Sequence, residues 1–205
     1  RSALDGATGS SVFAATVVVV VVGGGVTGGS TVVVVTAGAK QHAGQSRLEL
    51  AGTNVAMAQQ LTPQLLEQSP EALVLFVTNP VDIVTYAAAR AVDAPPGRIL
   101  GSGTVLDSSR FRFVIARRAG IAVGNVHGLI VGEHGDSEIS LWSSVSIGGV
   151  PAEQFHADGA MVFDEQARAE ISAEVVGAAY EIIASPELFI AAAAQRTKHI
   201  KLGTG

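Results

Sequence analysis

Cysteine is absent from the 205 residues of this chain, and charged residues make up only 15% of it. Without cysteine, a disulfide framework, a thiolate metal site and a thiol nucleophile are all excluded, and we predict no bound metal. The net charge is -5 and no lysine- or arginine-rich block occurs, so nothing indicates a nucleic-acid or anionic-membrane surface. The longest uncharged stretch, residues 6–39, is interrupted by glycines and never reaches the ~20 apolar residues that cross a bilayer. No basic segment precedes it, so no signal peptide is predicted.

Valine runs bounded by glycine dominate the first part of a sequence that contains 24 glycines and 48% hydrophobic residues. The runs at residues 17–22, 32–35 and 73–78 are continuous rather than alternating, which is typical of strands buried on both faces of a parallel sheet. Residues 47–68, between the second and third runs, have helical spacing. This order predicts a βαβ unit in an α/β fold with a parallel sheet.

Shorter elements are predicted after the third run. Asn79 can cap, and Pro80 can begin, a helix over residues 81–92. The remaining expected elements are a strand near Ile99, a helix at 106–119, strands at 126–131 and 140–147, and a long helix at 163–183.

A change of composition near residues 100–102 predicts a division of the chain. We expect a first domain over residues 1–100 and a second, mixed domain over residues 101–205. The chain begins at Arg1 without a methionine, which leads us to expect further sequence upstream.

Residues 23–28, with the sequence GGGVTG, have the G-x-G-x-x-G spacing of a pyrophosphate-binding loop and follow a predicted strand. The motif needs a helix directly after it, because the free N–H groups of the helix N-terminus bind the phosphates. Another valine strand follows here instead, so we predict a plain turn.

His134 lies between small residues at the end of a predicted strand. An imidazole titrates near neutrality, as the proton donor or acceptor of a hydroxyl-to-carbonyl conversion must. Asp107 and Arg110 share one helix face, where a carboxylate can fix the imidazole tautomer and a guanidinium can hold a substrate carboxylate. Taken singly, His134 would be interpreted as a solvated histidine in a turn. Asp107 and Arg110 would be a surface ion pair, and Arg47 a solvated loop arginine.

Five segments together resemble the lactate/malate dehydrogenase superfamily, and most closely its bacterial L-lactate dehydrogenases. They are TAGAKQ at residues 36–41, GQSRL at 44–48, VTNPVD at 77–82, GSGTVLDSSRFR at 101–112 and GEHGDS at 132–137. They follow the family's order at plausible spacing. The resemblance implies a Rossmann-like parallel sheet that lacks its first strands, in a partial dinucleotide-binding domain over residues 1–100. It also implies a mixed α+β catalytic and substrate domain over residues 101–205, itself partial at the C-terminus. The enzyme would be a cytoplasmic enzyme of glycolysis that interconverts pyruvate and L-lactate with NAD.

The same resemblance implies a role for each matching residue. His134 would be the proton donor and acceptor, Asp107 its carboxylate partner, and Arg110 the anchor of the substrate carboxylate. Arg47 would polarise the substrate carbonyl when an active-site loop closes. The implied cofactor contacts are Thr36, Ala37, Gly38, Ser102 and Asn79, the last of which would also contact the substrate and precede a cis Asn79–Pro80 bond.

Gln41 stands where the family distinguishes its substrates. Malate dehydrogenases place an arginine there to pair the second carboxylate of oxaloacetate, whereas a neutral glutamine suits the methyl group of pyruvate. The resemblance therefore favours lactate over malate. A malate or other 2-hydroxyacid dehydrogenase, and a catalytically inert fragment or structural subunit of the family, are the alternatives.

Arg112 and His127 match positions at which bacterial members of the family bind fructose 1,6-bisphosphate across a subunit interface. One cation and one titratable ring from each of two subunits would form an allosteric phosphate site in a homotetramer. The alternative is a helix-surface arginine and a histidine at the edge of the core.

The family's first strand, its glycine loop and its ribose-binding acidic residue are expected upstream of Arg1. Residues 185–205 are expected to depart from the family's pattern. On this basis we expect the 205 residues by themselves to bind NADH weakly, to turn over pyruvate negligibly and to associate through an exposed valine edge.

Substitution of Gln41 tests the predicted substrate preference. Gln41→Arg should shift kcat/KM from pyruvate toward oxaloacetate by orders of magnitude, because the new guanidinium pairs the additional carboxylate. Steady-state oxidation of NADH with each keto acid measures the shift. An unchanged preference in an active enzyme would contradict the prediction.

Overall fold

The computed structural model describes residues 19–22, 32–39 and 47–184. The chain divides into two compact units, Arg1–Gly103 and Thr104–Gly205. In unit 1 the elements are β1 (Val19–Val22), β2 (Val32–Val35), α1 (Arg47–Gln68), β3 (Leu73–Phe76), α2 (Val81–Arg90) and β4 (Ile99–Gly101). In unit 2 they are α3 (Val105–Ala119), β5 (Val126–His127), β6 (Ile130–Val131), β7 (Ile139–Ser140), β8 (Ser146–Ile147), β9 (Val150–Pro151), β10 (His156–Ala157), β11 (Ala160–Met161) and α4 (Glu165–Ala184). Within these described ranges, no helix has both the length and the apolar character to span a bilayer.

The described sheet of unit 1 has the strand order β1-β2-β3-β4. β2, β3 and β4 are parallel, with Val35 opposite Phe76 and Phe76 opposite Gly101, which confirms the predicted βαβ unit. β1 is antiparallel to β2, so the parallel placement expected for the first valine run is wrong. A parallel neighbour needs a crossover of about a dozen residues or more, and residues 23–31 are too few for one.

Alternate residues of β2 and β3 face the core of unit 1. Val33, Val35, Val74 and Phe76 are at most 3% exposed, whereas the residues between them are only half-buried. Burial on both faces of these strands was expected, and it is complete on one face alone. α1, which has the predicted bounds, and α2 complete this core with Ala58, Leu61, Leu65, Val84 and Ala88.

The helix after β3 starts without the predicted asparagine cap. Pro80, with an extended backbone, immediately precedes α2, and no side chain caps the helix. Asn79 lies one residue further out, where its carbonyl accepts a hydrogen bond from Nδ2 of Asn54 at 2.7 Å. The Asn79–Pro80 bond is cis, as the resemblance implies. α2 ends at Arg90, two residues before the predicted end.

Asn54 of α1 joins the chain segments that follow β2 and β3. Its Oδ1 accepts a hydrogen bond from the N–H of Ala39 at 2.8 Å, and its Nδ2 donates to Asn79. Asn54 is 1% exposed, so water does not compete for its amide. The hydroxyl of Thr78 adds a second connection, because it donates to the carbonyl of Ala37 at 2.5 Å. These bonds fix the two segments to each other.

Unit 2 packs α3 and α4 around one aromatic core. Phe111 of α3 and Ile171 of α4 are buried together with Phe163. Trp142 packs edge-on against Phe111, with ring centroids 4.9 Å apart. The packing holds α3 in a fixed position, from which its first turns present polar side chains.

The two strands predicted at residues 126–131 and 140–147 are each broken into shorter pieces. β5 and β6 are separated at residues 128–129, and a 3-10 turn at Trp142–Ser144 separates β7 from β8. The pieces pair antiparallel, β5 with β8 and β6 with β7. At Gly128 an added Cβ would lie 3.2 Å from the ring of Phe111, so the chain passes close to α3 where the first strand breaks.

Removing the Asn54 amide should destabilise unit 1. Asn54→Ala leaves the Ala39 N–H and the Asn79 carbonyl without their partner, at an expected cost of about 2–3 kcal/mol in the free energy of unfolding. Urea unfolding measures this cost. Gln59→Ala removes an exposed amide from the same helix and should change the midpoint little. Equal effects of the two substitutions would contradict a special role for Asn54.

Candidate active site

Three parallel strands of unit 1 end beside residues that the sequence predicts to bind a cofactor. Those residues are Thr36, Ala37 and Gly38 after β2, Asn79 after β3, and Ser102 after β4. Because β2, β3 and β4 are parallel neighbours, their carboxyl ends lie along one edge of the sheet. Open α/β sheets bind ligands at that edge.

The backbone along this edge is tightly constrained. Gly38 has no room for a side chain, because an added Cβ would lie 2.5 Å from Cγ2 of Thr78. The N–H of Ser102 donates to the carbonyl of Phe76 at 2.8 Å, which extends the ladder beyond β4. Asn79 is exposed and Ser102 is half-buried, so both are accessible to a ligand.

The catalytic pair expected from the sequence forms within unit 2. Nδ1 of His134 lies 2.5 Å from Oδ2 of Asp107. The Asp107 side chain is 4% exposed and that of His134 is 21% exposed, so the carboxylate is shielded while the ring reaches the surface. A buried carboxylate at this distance fixes the orientation of the imidazole ring.

The pair depends on a connection between α3 and the strand that leads to His134. Oγ of Ser108 accepts a hydrogen bond from the N–H of Ile130 at 2.9 Å, and Oγ1 of Thr104 donates to the carbonyl of Ile130 at 2.7 Å. Ile130 begins β6, and residues 132–138 then connect β6 to β7. The first turns of α3 therefore position both Asp107 and the loop that carries His134.

Arg110 contacts the other oxygen of the same carboxylate. Its Nη1 lies 3.4 Å from Oδ1 of Asp107, and its side chain is 21% exposed. The helical spacing predicted this proximity. The site thus combines a partly exposed guanidinium, which can bind an anion, with an imidazole that can exchange a proton.

Glu138 is the residue that the sequence reasoning missed. One oxygen of Glu138, one oxygen of Asp107 and one ring nitrogen of His134 all lie within 4.8 Å of one another. Burial raises the pKa of the Glu138 carboxyl, and the charge of Asp107 raises it further, against the opposing charges of His134 and Arg110. The available signal was an acidic residue four positions after the histidine and two positions before the strand predicted at residues 140–147.

Arg112 and His127 lie on neighbouring elements of unit 2. The Arg112 guanidinium donates to the carbonyl of Gly128 at 3.3 Å and to Oγ of Ser109 at 3.1 Å. His127 is the last residue of β5, directly before Gly128, and it is exposed. The half-buried arginine is therefore held beside the strand that carries the histidine.

Some residues singled out in the sequence lie outside the described residues. These are Gln41 and the glycine segment at residues 23–28. Arg47 is the first residue of α1 rather than part of a loop, and its side chain also lies outside the description.

Family models match both halves of the chain. Residues 5–101 match the NAD-binding domain of lactate/malate dehydrogenases, and residues 104–199 match the α/β C-terminal domain of the same family. The second match shows that the expected departure of residues 185–205 from the family is wrong as far as residue 199.

Individual relatives agree with these matches. The chain is 46% identical over 181 residues to the L-lactate dehydrogenase of Bifidobacterium animalis subsp. lactis (strain AD011), which covers 88% of the chain and 57% of the relative. It is 49% identical over 148 residues to the L-lactate dehydrogenase of Moorella thermoacetica (strain ATCC 39073 / JCM 9320), covering 72% and 47%. The ligand-bound minor L-lactate dehydrogenase of Enterococcus mundtii superimposes with a TM-score of 0.71 at 36% identity, covering 76% of this chain and 49% of that one.

The chain spans about half the length of the relatives that it matches. The two family models nevertheless account for most of its residues, and the resemblance seen in the sequence motifs is confirmed. The chain belongs to the lactate/malate dehydrogenase family.

Proposed function

We propose that this chain is part of an NAD-dependent L-lactate dehydrogenase, which interconverts pyruvate and L-lactate. The observation that carries the proposal is the contact between His134 and the buried carboxylate of Asp107, with the Arg110 guanidinium beside the same carboxylate. The L-lactate dehydrogenases among the relatives support the choice of substrate.

His134 handles the proton in this proposal. In the direction of pyruvate reduction, the imidazolium donates its proton to the keto oxygen as the carbonyl carbon gains hydride, and the product hydroxyl carries that proton. Asp107 stabilises the imidazolium and holds the ring in the tautomer that presents its other nitrogen to the substrate. In the reverse direction the neutral ring removes the hydroxyl proton.

Arginines orient the substrate. Arg110 binds the pyruvate carboxylate through two parallel hydrogen bonds, which fixes the keto group relative to the imidazole. Arg47 is proposed, from its motif, to polarise the carbonyl as negative charge develops on its oxygen. Gln41, also from its motif, accommodates the methyl group.

The carboxyl edge of the unit 1 sheet suits the nicotinamide cofactor. Asn79 and Ser102 offer an amide and a hydroxyl at this edge, beside the backbone of Thr36–Gly38. When bound, NADH supplies the hydride. In this assignment residues 1–100 form the partial dinucleotide-binding domain and residues 101–205 the partial catalytic domain.

The pH dependence of pyruvate binding tests the role of His134. Only the protonated ring can donate to the keto oxygen, so the pyruvate KM should rise by about tenfold per pH unit once pH exceeds the ring's titration. Asp107→Asn should move that rise to lower pH and reduce kcat by roughly 10²–10⁴-fold. NADH oxidation across a pH series measures both effects, with oxaloacetate as the competing substrate.

A matched histidine substitution serves as the control for this test. His134→Gln should abolish turnover, whereas His156→Gln, at an exposed position on β10, should leave it unchanged. A KM for pyruvate that does not vary from mildly acidic to alkaline pH would rule out His134 as the donor. Faster turnover of oxaloacetate than of pyruvate would favour the malate dehydrogenase alternative. Absence of turnover with either keto acid would favour the alternative of a catalytically inert member of the family.

We further propose that the enzyme is a cytoplasmic homotetramer of glycolysis, activated allosterically by fructose 1,6-bisphosphate at Arg112 and His127. The hydrogen bond from Arg112 to Gly128 supports this idea, because Gly128 directly follows the exposed His127 and the bond keeps the guanidinium close to it. A phosphate bound there would receive one permanent cation and one titratable ring from each subunit.

The effector site predicts a pH-dependent response to the sugar bisphosphate. The sugar bisphosphate should lower the pyruvate KM and stabilise the tetramer. Both effects should be stronger at mildly acidic than at neutral pH, because an imidazole is more fully protonated at the lower pH. Arg112→Gln should remove this response, whereas Arg90→Gln, at an exposed position at the end of α2, should retain it. Kinetics and sedimentation velocity provide the readouts. A wild-type enzyme indifferent to the sugar at both pH values would contradict the assignment.

A further inference from the structure

Glu138 lies beside the catalytic pair and has no part in the reaction proposed above. It closes the loop that carries His134, since its N–H donates to the carbonyl of Gly135 at 3.2 Å and the next residue, Ile139, begins β7. The loop thus turns back on itself and brings a carboxyl oxygen of the half-buried Glu138 to within 4.8 Å of an oxygen of Asp107 and a ring nitrogen of His134.

Two carboxyl groups this close repel each other when both are ionised. Both oxygens of Asp107 contact basic side chains, Oδ2 that of His134 and Oδ1 that of Arg110. Burial raises the pKa of Glu138, and the charge of Asp107 raises it further. Glu138 is therefore the carboxyl group of this cluster whose protonated form the surroundings favour.

We propose that Glu138 is a positioning residue whose carboxyl group sets the proton affinity of the His134–Asp107 pair. The inference rests on the proposed function, in which only protonated His134 binds pyruvate productively. It adds a residue that governs the pH range over which that binding occurs.

The two protonation states of Glu138 act on the imidazole in different ways. Ionised Glu138 adds a second negative charge within reach of the ring and stabilises the imidazolium. Protonated Glu138 is neutral and adds no such charge, and in this state its O–H can donate to Asp107 and withdraw part of the charge that Asp107 offers to the ring. The charged groups that face Glu138 are Asp107 and Arg110 from α3 and His134 from its own loop.

The Glu138→Gln variant mimics the protonated state permanently, because its amide is neutral, has nearly the same shape and can still donate to Asp107. We expect the imidazolium of His134 to be less stable in this variant than in the wild type at neutral pH. Its titration should move down by about one pH unit, the scale on which a charge within ~4–6 Å acts.

NMR titration of the His134 ring measures this shift directly, with the signal assigned by its loss in His134→Gln. In the wild type the ring signal should show two inflections, its own and a second one in the mildly acidic range from Glu138. In Glu138→Gln the inflection caused by Glu138 should vanish, and the inflection of His134 itself should occur at lower pH than in the wild type. The rise in pyruvate KM should move by the same amount, while kcat on the acidic side changes little.

Two further variants separate charge from structure. Glu133→Gln changes the other glutamate of the loop, which is exposed and accepts a hydrogen bond from Ser137 at 2.6 Å. It should titrate like the wild type. Glu138→Asp keeps the charge on a shorter side chain, so its His134 ring should titrate at a pH between those of the wild type and Glu138→Gln.

A single inflection in the wild type, or a Glu138→Gln titration identical to that of the wild type, would overturn the proposal. If Glu138→Gln does not fold, the presence or absence of the second inflection in the wild type still tests whether Glu138 acts on His134. Failure of the proposed function is a different result: the protein would not turn over pyruvate at any pH. The ring titration would still show whether Glu138 controls His134.

Discussion

A carboxylate whose side chain is 4% exposed is the point on which the candidate site depends. Removing a charged group from water costs several kcal/mol unless cations and hydrogen bonds compensate. Asp107 meets this requirement with His134 on one oxygen and Arg110 on the other. Loss of either partner leaves an under-compensated buried charge, so one local constraint ties α3 to the loop after β6. The groups that would bind and protonate a substrate are therefore the groups that make burial of Asp107 tolerable.

Features encoded by neighbouring residues could be predicted from the sequence. α1 has the predicted bounds because its apolar spacing is continuous, and Asp107 and Arg110 meet because three positions on a helix bring side chains together. Long motifs also identified the family and the cis Asn79–Pro80 bond. The roles of Gln41, Arg47 and the effector residues stay predictions, since they depend on contacts beyond the described side chains.

Contacts between distant segments explain what the sequence did not predict. Residues 126–131 were predicted to form one strand, but the close passage of Gly128 along Phe111 accompanies a break there. Asn79 has the residue type of a helix cap, yet it is held outside α2 by the amide of Asn54. Glu138 had no periodic or motif signal, because its role arises only when the hairpin loop folds back toward α3.

The two units offer different chemistry to their proposed ligands. The cofactor contacts assigned in unit 1 are backbone groups, one amide and one hydroxyl, none of which titrates between mildly acidic and alkaline pH. The substrate contacts assigned in unit 2 include an imidazole coupled to two carboxyl groups and a guanidinium. In the proposed reaction, protonation therefore acts on the contacts to the keto acid and not on these cofactor contacts. A change of pH should then alter the pyruvate KM while leaving the nicotinamide contacts intact. The groups that make the proposed reaction depend on pH thus lie on the first turns of α3 and in the loop between β6 and β7.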